Sequence, residues 1–299
     1  MATAPSLHVG ERLRTYASFV RFEHTLFSMP LLLAGAFSAP GPALSWGRWA
    51  LVLVAAVGAR TAALAINRLV DRRIDALNPR TTQRELPAGR IRLFEAWALL
   101  LASGAAYLVA CAALGPWYLR VSWLPLLAFT VYPYLKRFTP FCHIGVGAAL
   151  SLAPLAGYAA AHPDLGAPSV SLWLAAFALA WVSGFDIIYA TLDEGFDRAH
   201  GVRSMVEWLG RGSALKVSAA LHAIAFLALL GALGRLQGVR ACSWWSAAAW
   251  IPLAAAGFLL FLEQKWAEDV NLAFFKVNVW VGFAVLAMVL VARASCGGF

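Results

Sequence analysis

Long apolar segments recur along almost the whole chain, and this repetition restricts the fold more than any other feature of the sequence. Hydrophobic residues make up 61% of the chain and charged residues only 13%, whereas a soluble domain is roughly half apolar and a quarter charged. Because lipid offers no partner for backbone N–H and C=O groups, uninterrupted apolar segments of this kind cross a membrane as helices. We therefore expect an all-α, polytopic membrane protein.

Nine segments approach the length of roughly 20 residues that a helix needs to cross a bilayer. No linker of different composition separates them, so we expect a single domain over residues 1–299, with its spans roughly between residues 25 and 292. The expected spans lie near residues 25–43, 47–66, 93–115, 117–135, 143–161, 170–188, 213–234, 243–262 and 273–292.

Basic residues are distributed unevenly between the loops and therefore predict the orientation. Most of the 24 Lys and Arg residues lie in the N-terminal segment and in the loops after the second, fourth, sixth and eighth expected spans. Positively charged loops stay in the cytoplasm. We therefore expect the N-terminus on the cytoplasmic side of a bacterial inner membrane and the C-terminus on the opposite side. The net charge of +9 is explained by this rule and by contact with anionic lipid, without nucleic acid as a partner.

The residues that we call the first acid cluster, Asn67, Asp71 and Asp75, end the second expected span. Spacings of four place their side chains on one helix face, and Arg60 falls close to the same stripe. Carboxylates bind metal ions, and arginines donate to phosphate oxygens. A cytoplasmic loop of salt-bridged charges is the alternative interpretation, but Arg60 lies within the membrane region and needs a buried anion. The candidate phosphate ligands near this cluster are Arg72 and Arg84.

The second acid cluster consists of Asp186, Tyr189, Asp193 and Asp197 and follows the sixth expected span. Spacings of three and four again predict one helix face. A single cluster of this kind could cap a helix or pair with arginines. Two clusters on the cytoplasmic side instead favour a pocket of oxygen ligands for Mg²⁺, which would hold substrate phosphates. Both acid groups would then face the cytoplasm.

Three shorter motifs have simpler alternatives. Tyr132, Lys136 and Arg137 end the fourth expected span, where an aromatic belt with positive residues is common. Their functional interpretation is a tyrosine ring that stabilises a cation beside a lysine that contacts phosphate. His24, before the first span, fits an interfacial histidine without a role, and Lys276, before the last span, fits a lysine that extends to the interface.

Taken in order, these motifs resemble those of the UbiA superfamily of intramembrane aromatic prenyltransferases, in its 4-hydroxybenzoate polyprenyltransferase-like branch. The resemblance runs from about residue 20 to residue 290 and includes the loop 80–90, in which Glu85 replaces the proline usual in the family. It implies a bundle of about nine transmembrane helices around a central cavity, with a cytoplasmic cap over the aspartates.

The resemblance also implies an activity. A polyprenyl group would pass from polyprenyl diphosphate to a ring carbon of 4-hydroxybenzoate or 1,4-dihydroxy-6-naphthoate, in ubiquinone or menaquinone biosynthesis. Asp186 would polarise the acceptor hydroxyl or accept a proton, and Arg60 would bind the acceptor carboxylate. Two Mg²⁺ ions would be held by Asn67, Asp71 and Asp75 and by Asp193 and Asp197. The diphosphate ligands would be Arg72, Arg84, Lys136 and Arg137, and the aromatic faces beside the allylic cation Tyr132 and Tyr189.

Other functions remain open at this point. Prenylation of a haem, chlorophyll or tocopherol precursor would use the same motifs. From another class, an ion-coupled transporter also carries intramembrane charges, but such charges lie near the bilayer midplane between broken helices. The acidic residues here lie at helix ends on one side, which favours catalysis on a membrane-borne substrate. A lipid-binding protein without catalytic activity would not need two metal-binding clusters.

Overall fold

The structure, a computed structural model, describes residues 9–21, 25–41, 44–238, 244–267 and 277–295. All regular secondary structure in these ranges is helical, which confirms the all-α expectation. The helices are α1 (Val9–Phe19), α2 (Thr25–Ala36), α3 (Trp46–Leu77), α4 (Leu93–Leu114), α5 (Pro116–Val121), α6 (Trp123–Leu135), α7 (Cys142–Ala161), α8 (Ser169–Ala190), α9 (Glu194–His200), α10 (Met205–Leu209), α11 (Arg211–Gly238), α12 (Trp250–Lys265) and α13 (Asn278–Ser295), with 3₁₀ turns at Thr191–Asp193 and Trp244–Ala249.

Seven helical segments of the described chain are long and apolar enough to cross a membrane, so the protein is a multi-pass membrane protein. They are Trp46–Leu77, Leu93–Leu114, Cys142–Ala161, Ser169–His200, Arg211–Gly238, Ser246–Lys265 and Asn278–Ser295. The expected number of nine is not confirmed. That the first and fourth expected spans also cross the membrane remains a prediction.

The first and fourth expected spans contain helices too short to cross a bilayer by themselves. Helix α2 has 12 residues and α6 has 13, and each contains an internal proline, Pro30 and Pro133 respectively. The chain also breaks at Gly115, whose φ of 143° disfavours any residue with a side chain, and Pro116 then begins α5. A second interruption at Ser122 divides the expected span 117–135 between α5 and α6.

Helix α3 is longer than the expected span 47–66. Its 32 residues extend over about 48 Å, whereas the apolar core of a bilayer is about 30 Å thick. The final turns of α3 carry Asn67, Asp71 and Asp75 and continue to Leu77. The first acid cluster therefore occupies one continuous helix, as its spacing predicts.

The second acid cluster does not lie on one regular α-helix, and the shared face of its side chains stays a prediction. Helix α8 ends at Ala190, a 3₁₀ turn covers Thr191–Asp193, and α9 begins at Glu194. Thr191 causes part of this break, because its Oγ1 donates to the carbonyl oxygen of Ile188 at 2.7 Å and so competes with the regular helical pattern. Asp186 thus belongs to α8, Asp193 to the 3₁₀ turn and Asp197 to α9.

The chain divides into two compact units, and the expectation of a single domain stays a prediction. The first unit contains residues 1–25 and 53–133. Its buried core joins α1, α3, α4 and the intervening loop 78–92, which we call the cap loop. The core residues are Phe19, Val20, Ala65, Leu69, Ile91 and Ala96.

The second unit contains residues 26–52 and 134–299. Helix α8 is its central helix, because 72% of its most apolar stretch is buried, compared with 22–44% in the other candidate spans. In the core, the Trp181 ring of α8 contacts both Phe177 and Phe185, and it stacks on Phe177 at a centroid distance of 5.3 Å. Exposed apolar side chains are more frequent on the other helices, as expected of helices that face lipid.

Helices α2 and α7 of the second unit approach so closely that glycine is required at their contact. A Cβ atom added to Gly157 would lie 1.8 Å from the carbonyl oxygen of Leu32. One added to Gly35 would lie 1.9 Å from the carbonyl oxygen of Pro154. Small residues allow this type of backbone approach between membrane helices.

Candidate functional site

The first acid cluster occupies the buried face of α3. Asp71 is 2% exposed and Asp75 is 5% exposed, while the neighbouring Arg72 and Arg73 are exposed. Asn67 donates from Nδ2 to Oδ2 of Asp71 at 3.3 Å. Buried carboxylates are costly without a partner, so the cluster needs cations or hydrogen-bond donors close by.

Asp75 connects α3 to the cap loop. Arg84 Nη1 lies 2.8 and 2.9 Å from the two carboxylate oxygens of Asp75. Thr81 Oγ1 donates to the backbone carbonyl of Asp75 at 2.9 Å. The structure thus brings together the expected metal ligand Asp75 and the expected phosphate ligand Arg84, here as an ion pair.

Glu85, at the position where the family usually has proline, anchors the cap loop to α1. Its Oε1 accepts from Ser18 Oγ at 2.6 Å and lies 3.8 Å from Arg90 Nη2. Burial would raise the pKa of Glu85, but the bond from Ser18, a backbone N–H and the charges of Arg68 and Arg90 together lower it. The carboxylate is therefore the favoured form in the folded protein.

Arg60 lies deeper along α3 and has a buried nitrogen without a partner. Its Nε forms no hydrogen bond in the part of the chain that the structure describes. Tyr132 of α6 interacts with it electrostatically. A buried guanidinium nitrogen without an acceptor is unfavourable by about 1–3 kcal/mol. Arg60 is therefore suited to bind an anion that enters from outside the chain.

The second unit gathers part of the second acid cluster around Asp197, which is 7% exposed. Asp193, Ser204 and Lys136 all interact with its carboxylate. The backbone of Asp197 is also fixed, because its carbonyl accepts from Val202 N–H at 3.0 Å. Lys136, predicted as a phosphate ligand from a different motif, therefore lies beside the second pair of predicted metal ligands.

Asp186 has a partner that the sequence interpretation did not identify, His143 at the start of α7. The His143 Nδ1 lies 2.7 Å from Asp186 Oδ2, and the backbone N–H of Met205 donates to His143 Nε2 at 3.2 Å. A histidine at the beginning of an apolar segment gives no periodic signal. Only the unusual presence of an ionisable side chain in a membrane span could have indicated that His143 has a polar partner.

The remaining expected site residues lie at less enclosed positions. Arg72 is exposed and donates from Nη1 to the carbonyl of Leu69 at 2.9 Å. The Arg137 guanidinium carbon lies 5.3 Å from the centre of the Tyr134 ring. Tyr189 is partly buried beside the core formed by Ile188 and Ala267. His24 and Lys276 lie outside the described residues.

A second polar group that sequence reasoning missed is buried among α8, α11, α12 and α13. Glu263 is 1% exposed, and its Oε2 lies 3.8 Å from His222 Nε2. Asn278 accepts from Trp181 Nε1 at 3.2 Å. Gln264 Nε2 lies 2.9 Å from His222 Nδ1. These residues come from segments far apart in sequence, so no local spacing predicts their contact.

Within the described residues, no group of three or more His, Cys, Asp and Glu side chains stands close enough to hold a metal ion by itself. Mg²⁺, however, usually takes only one or two protein carboxylates and completes its shell with water and substrate phosphates. The adjacent carboxylates Asp193 and Asp197 have the oxygen donors that Mg²⁺ prefers. Asp71 and Asp75, with the Asn67 amide, have the same chemistry, so both sets fit the ion.

Comparisons with known proteins agree with the motif resemblance. The model of the UbiA prenyltransferase family matches residues 28–282. A curated protein of Cupriavidus necator named 4-hydroxybenzoate octaprenyltransferase is 31% identical over 298 residues, covering 95% of this chain and 99% of that protein.

Solved structures are similar as well. The apo structure of a UbiA homolog from Aeropyrum pernix K1 has a TM-score of 0.80 and 34% identity, covering 90% of this chain and 98% of that one. A UbiA homolog from Archaeoglobus fulgidus bound to GPP and Mg²⁺ has a TM-score of 0.66 and 21% identity, covering 91% and 99%. At this lower identity the second likeness concerns the fold alone.

Proposed function

The chain belongs to the UbiA prenyltransferase family and is therefore an enzyme of the transferase class, and we propose that it prenylates a hydroxylated aromatic carboxylate. The donor is a polyprenyl diphosphate, and the acceptor is 4-hydroxybenzoate or 1,4-dihydroxy-6-naphthoate, in ubiquinone or menaquinone biosynthesis. The names of the curated relatives support the first acceptor. Family membership also argues against the transporter alternative, because the family is one of transferases.

Arg60 is the observation that supports a carboxylate-bearing acceptor. Its buried Nε has no acceptor among the described residues, and an aromatic carboxylate would supply one through a charge-assisted hydrogen bond. Precursors of haem, chlorophyll and tocopherol also carry carboxylates, so the preference for 4-hydroxybenzoate over them rests on the names of the curated relatives. Tyr132, beside Arg60, would face the aromatic ring of the acceptor or the allylic chain.

The donor diphosphate would be held by the acid clusters through Mg²⁺. Asn67, Asp71 and Asp75 would hold one ion, and Asp193 and Asp197 a second. When bound, Mg²⁺ neutralises charge on the diphosphate and makes it a better leaving group. From the distribution of basic loops we expect both clusters on the cytoplasmic side, where phosphorylated metabolites occur.

The side chains of this protein would perform the remaining tasks. Arg72, Arg84, Lys136 and Arg137 would donate to diphosphate oxygens as negative charge develops on them. Tyr132 and Tyr189 would present ring faces to the allylic cation. Asp186 would accept a hydrogen bond from the acceptor hydroxyl and so increase electron density at the ring carbon that forms the new C–C bond. The C–O bond to diphosphate breaks in the same reaction, and the ring proton leaves.

A reconstitution assay tests this proposal. Purified protein in lipid nanodiscs is incubated with geranyl diphosphate, Mg²⁺ and each acceptor in turn, and prenylated product is measured by mass spectrometry together with released diphosphate. We expect product with at least one of the two acceptors and none in EDTA. Prenylation of neither, with diphosphate release unaffected by the acceptor, would refute the proposed function.

A further inference from the structure

His143 connects three segments of the second unit through two well-defined hydrogen bonds. Its Nδ1 lies 2.7 Å from the carboxylate of Asp186 on α8, and its Nε2 lies 3.2 Å from the backbone nitrogen of Met205 on α10. The imidazole is 3% exposed, whereas the Asp186 side chain is 26% exposed. His143 is therefore buried within the protein, whereas Asp186 is accessible to a ligand.

The backbone contact determines which imidazole nitrogen carries the proton. The N–H of Met205 can only donate, so Nε2 of His143 must accept and cannot itself be protonated. The proton is then on Nδ1, which donates to Asp186 Oδ2. A carboxylate that receives such a bond is fixed in orientation, as in the carboxylate–histidine pairs of many enzymes.

The segment around Met205 is itself held rigidly, so His143 has a firm support. Met205 begins α10, and the first N–H groups of a helix need an acceptor. Two residues earlier, Arg203 donates its N–H to the carbonyl of Lys136 at 2.7 Å. Ser204, between them, accepts from Glu207 N–H at 3.0 Å. Movement of His143 would thus disturb the loop in which Ser204 forms a hydrogen bond to the Asp197 carboxylate.

The other oxygen of Asp186 has no described partner. Within the described residues, His143 is the only side chain hydrogen-bonded to the Asp186 carboxylate, and it uses Oδ2 alone. Oδ1 is therefore available to a hydroxyl group that reaches this part of the second unit. A free carboxylate could rotate away from such a ligand, but one anchored at Oδ2 presents Oδ1 in a fixed direction.

We propose that His143 is a positioning residue that holds Asp186 ready to accept the hydrogen bond of the acceptor's phenolic hydroxyl. This inference rests on the proposed function and deepens it, since it assigns a specific pair to recognition of the acceptor instead of the diphosphate. His143 itself touches neither substrate.

Kinetics of two variants test the proposal. His143→Leu removes both hydrogen bonds, whereas His143→Gln can present an amide N–H to Asp186 and its carbonyl to Met205. We expect His143→Leu to reduce kcat/KM for the acceptor by about 10- to 100-fold, the usual effect of losing an orienting hydrogen bond, with the donor KM unchanged. His143→Gln should recover most of this loss. An equal rise in the donor KM, or a glutamine variant that folds but works no better than leucine, would overturn the proposal.

A matched control is His162→Gln. His162 is also a buried histidine of the α7 region, at the C-terminal end of the helix and hydrogen-bonded to Tyr158, about 30 Å along the helix from His143. We expect wild-type kinetics from this variant. A similar loss of acceptor kcat/KM there would mean that any change in α7 is harmful, and the positioning role would be rejected.

A spectroscopic measurement decides the matter if His143→Leu fails to fold. In ¹⁵N-histidine-labelled wild-type protein, the signals that disappear in His143→Gln belong to His143. We expect a protonated Nδ1 and an unprotonated Nε2, and a protonated Nε2 would refute the inference. Failure of the proposed function is distinguishable, because wild-type protein would then form no product while this tautomer would still be observed.

Discussion

Arg60 offers a prediction in which stability and activity change in opposite directions. Arg60→Met retains the aliphatic stem and most of the volume of the side chain but removes the buried guanidinium. In the protein without substrate, Nε has no acceptor among the described residues. Removing a buried donor of this kind relieves an unfavourable contribution of about 1–3 kcal/mol. We therefore expect the Tm of the substrate-free protein to rise.

The same substitution should weaken acceptor binding. A hydrogen bond to a charged group contributes about 1.5–3 kcal/mol, and each 1.4 kcal/mol corresponds to tenfold in an equilibrium constant. Loss of the bond between Arg60 and the acceptor carboxylate should thus raise the acceptor KM by roughly 10- to 150-fold. The donor KM should stay the same, because Arg60 is not assigned to the diphosphate.

The assay is steady-state kinetics in nanodiscs with 4-hydroxybenzoate and with its methyl ester, alongside thermal unfolding. Wild-type protein should strongly prefer the free acid, and Arg60→Met should lose this preference. Arg48→Met changes an arginine near the other end of the same helix and should leave both KM values unchanged. If Arg60→Met instead raised the donor KM, Arg60 would have to be reassigned to the diphosphate. An unchanged preference for the acid would refute the carboxylate interpretation.

Three further predictions concern metal binding, packing and pH. Asp71→Ala and Asp193→Ala should each abolish product formation while leaving the helical circular dichroism spectrum intact, because each removes a proposed Mg²⁺ ligand. Gly157→Ala should lower the free energy of unfolding by about 1–3 kcal/mol, measured by thermal unfolding, because the added methyl group overlaps the Leu32 carbonyl. The pKa of Glu85 is lowered in the folded state. Its contribution to stability is therefore present above pH 4.5, the ordinary pKa of a glutamate, and is lost as the pH falls below that value. Glu85→Gln should remove this pH dependence from the free energy of unfolding.

Each of these predictions has a control. Asp164→Ala, in an exposed loop, should keep full activity; near-normal turnover in Asp71→Ala would remove the metal assignment. Gly104→Ala has open space around its added methyl group and should be neutral or stabilising, since alanine favours helices. Equal effects at the two glycines would contradict the close approach of α2 and α7. An unchanged acid profile in Glu85→Gln would show that Glu85 does not anchor the cap loop.

The helices and the first acid cluster could be predicted because their signals are local. Apolar length identifies membrane helices, and spacings of four at Asn67, Asp71 and Asp75 hold along the uninterrupted α3. The second acid cluster does not lie on one regular α-helix, because Thr191 bonds to the backbone of Ile188 and a 3₁₀ turn interrupts the helix between Asp186 and Asp197. Periodicity describes side-chain direction only while the helix continues.

The partners of single ionisable residues could not be predicted in the same way. His143 meets Asp186 across 43 positions of sequence and Met205 across 62. His222 and Glu263 likewise meet only after α11 and α12 have packed. An ionisable residue within an apolar segment does signal that a partner exists. Which residue that partner is depends on the packing of helices, which one sequence does not specify.

The attachment of α1 has a practical consequence for work with this enzyme. Ser18 bonds to Glu85 of the cap loop, Tyr16 OH lies 3.0 Å from Glu95, and the buried Arg68 donates to the carbonyl of Phe19 at 3.3 Å. Helix α1 thus stabilises the cap loop, whose Arg84 forms an ion pair with Asp75. Trimming it to improve expression, or fusing a bulky tag directly to it, would loosen that loop and produce an enzyme whose weak activity reflects the engineering and not the native chain.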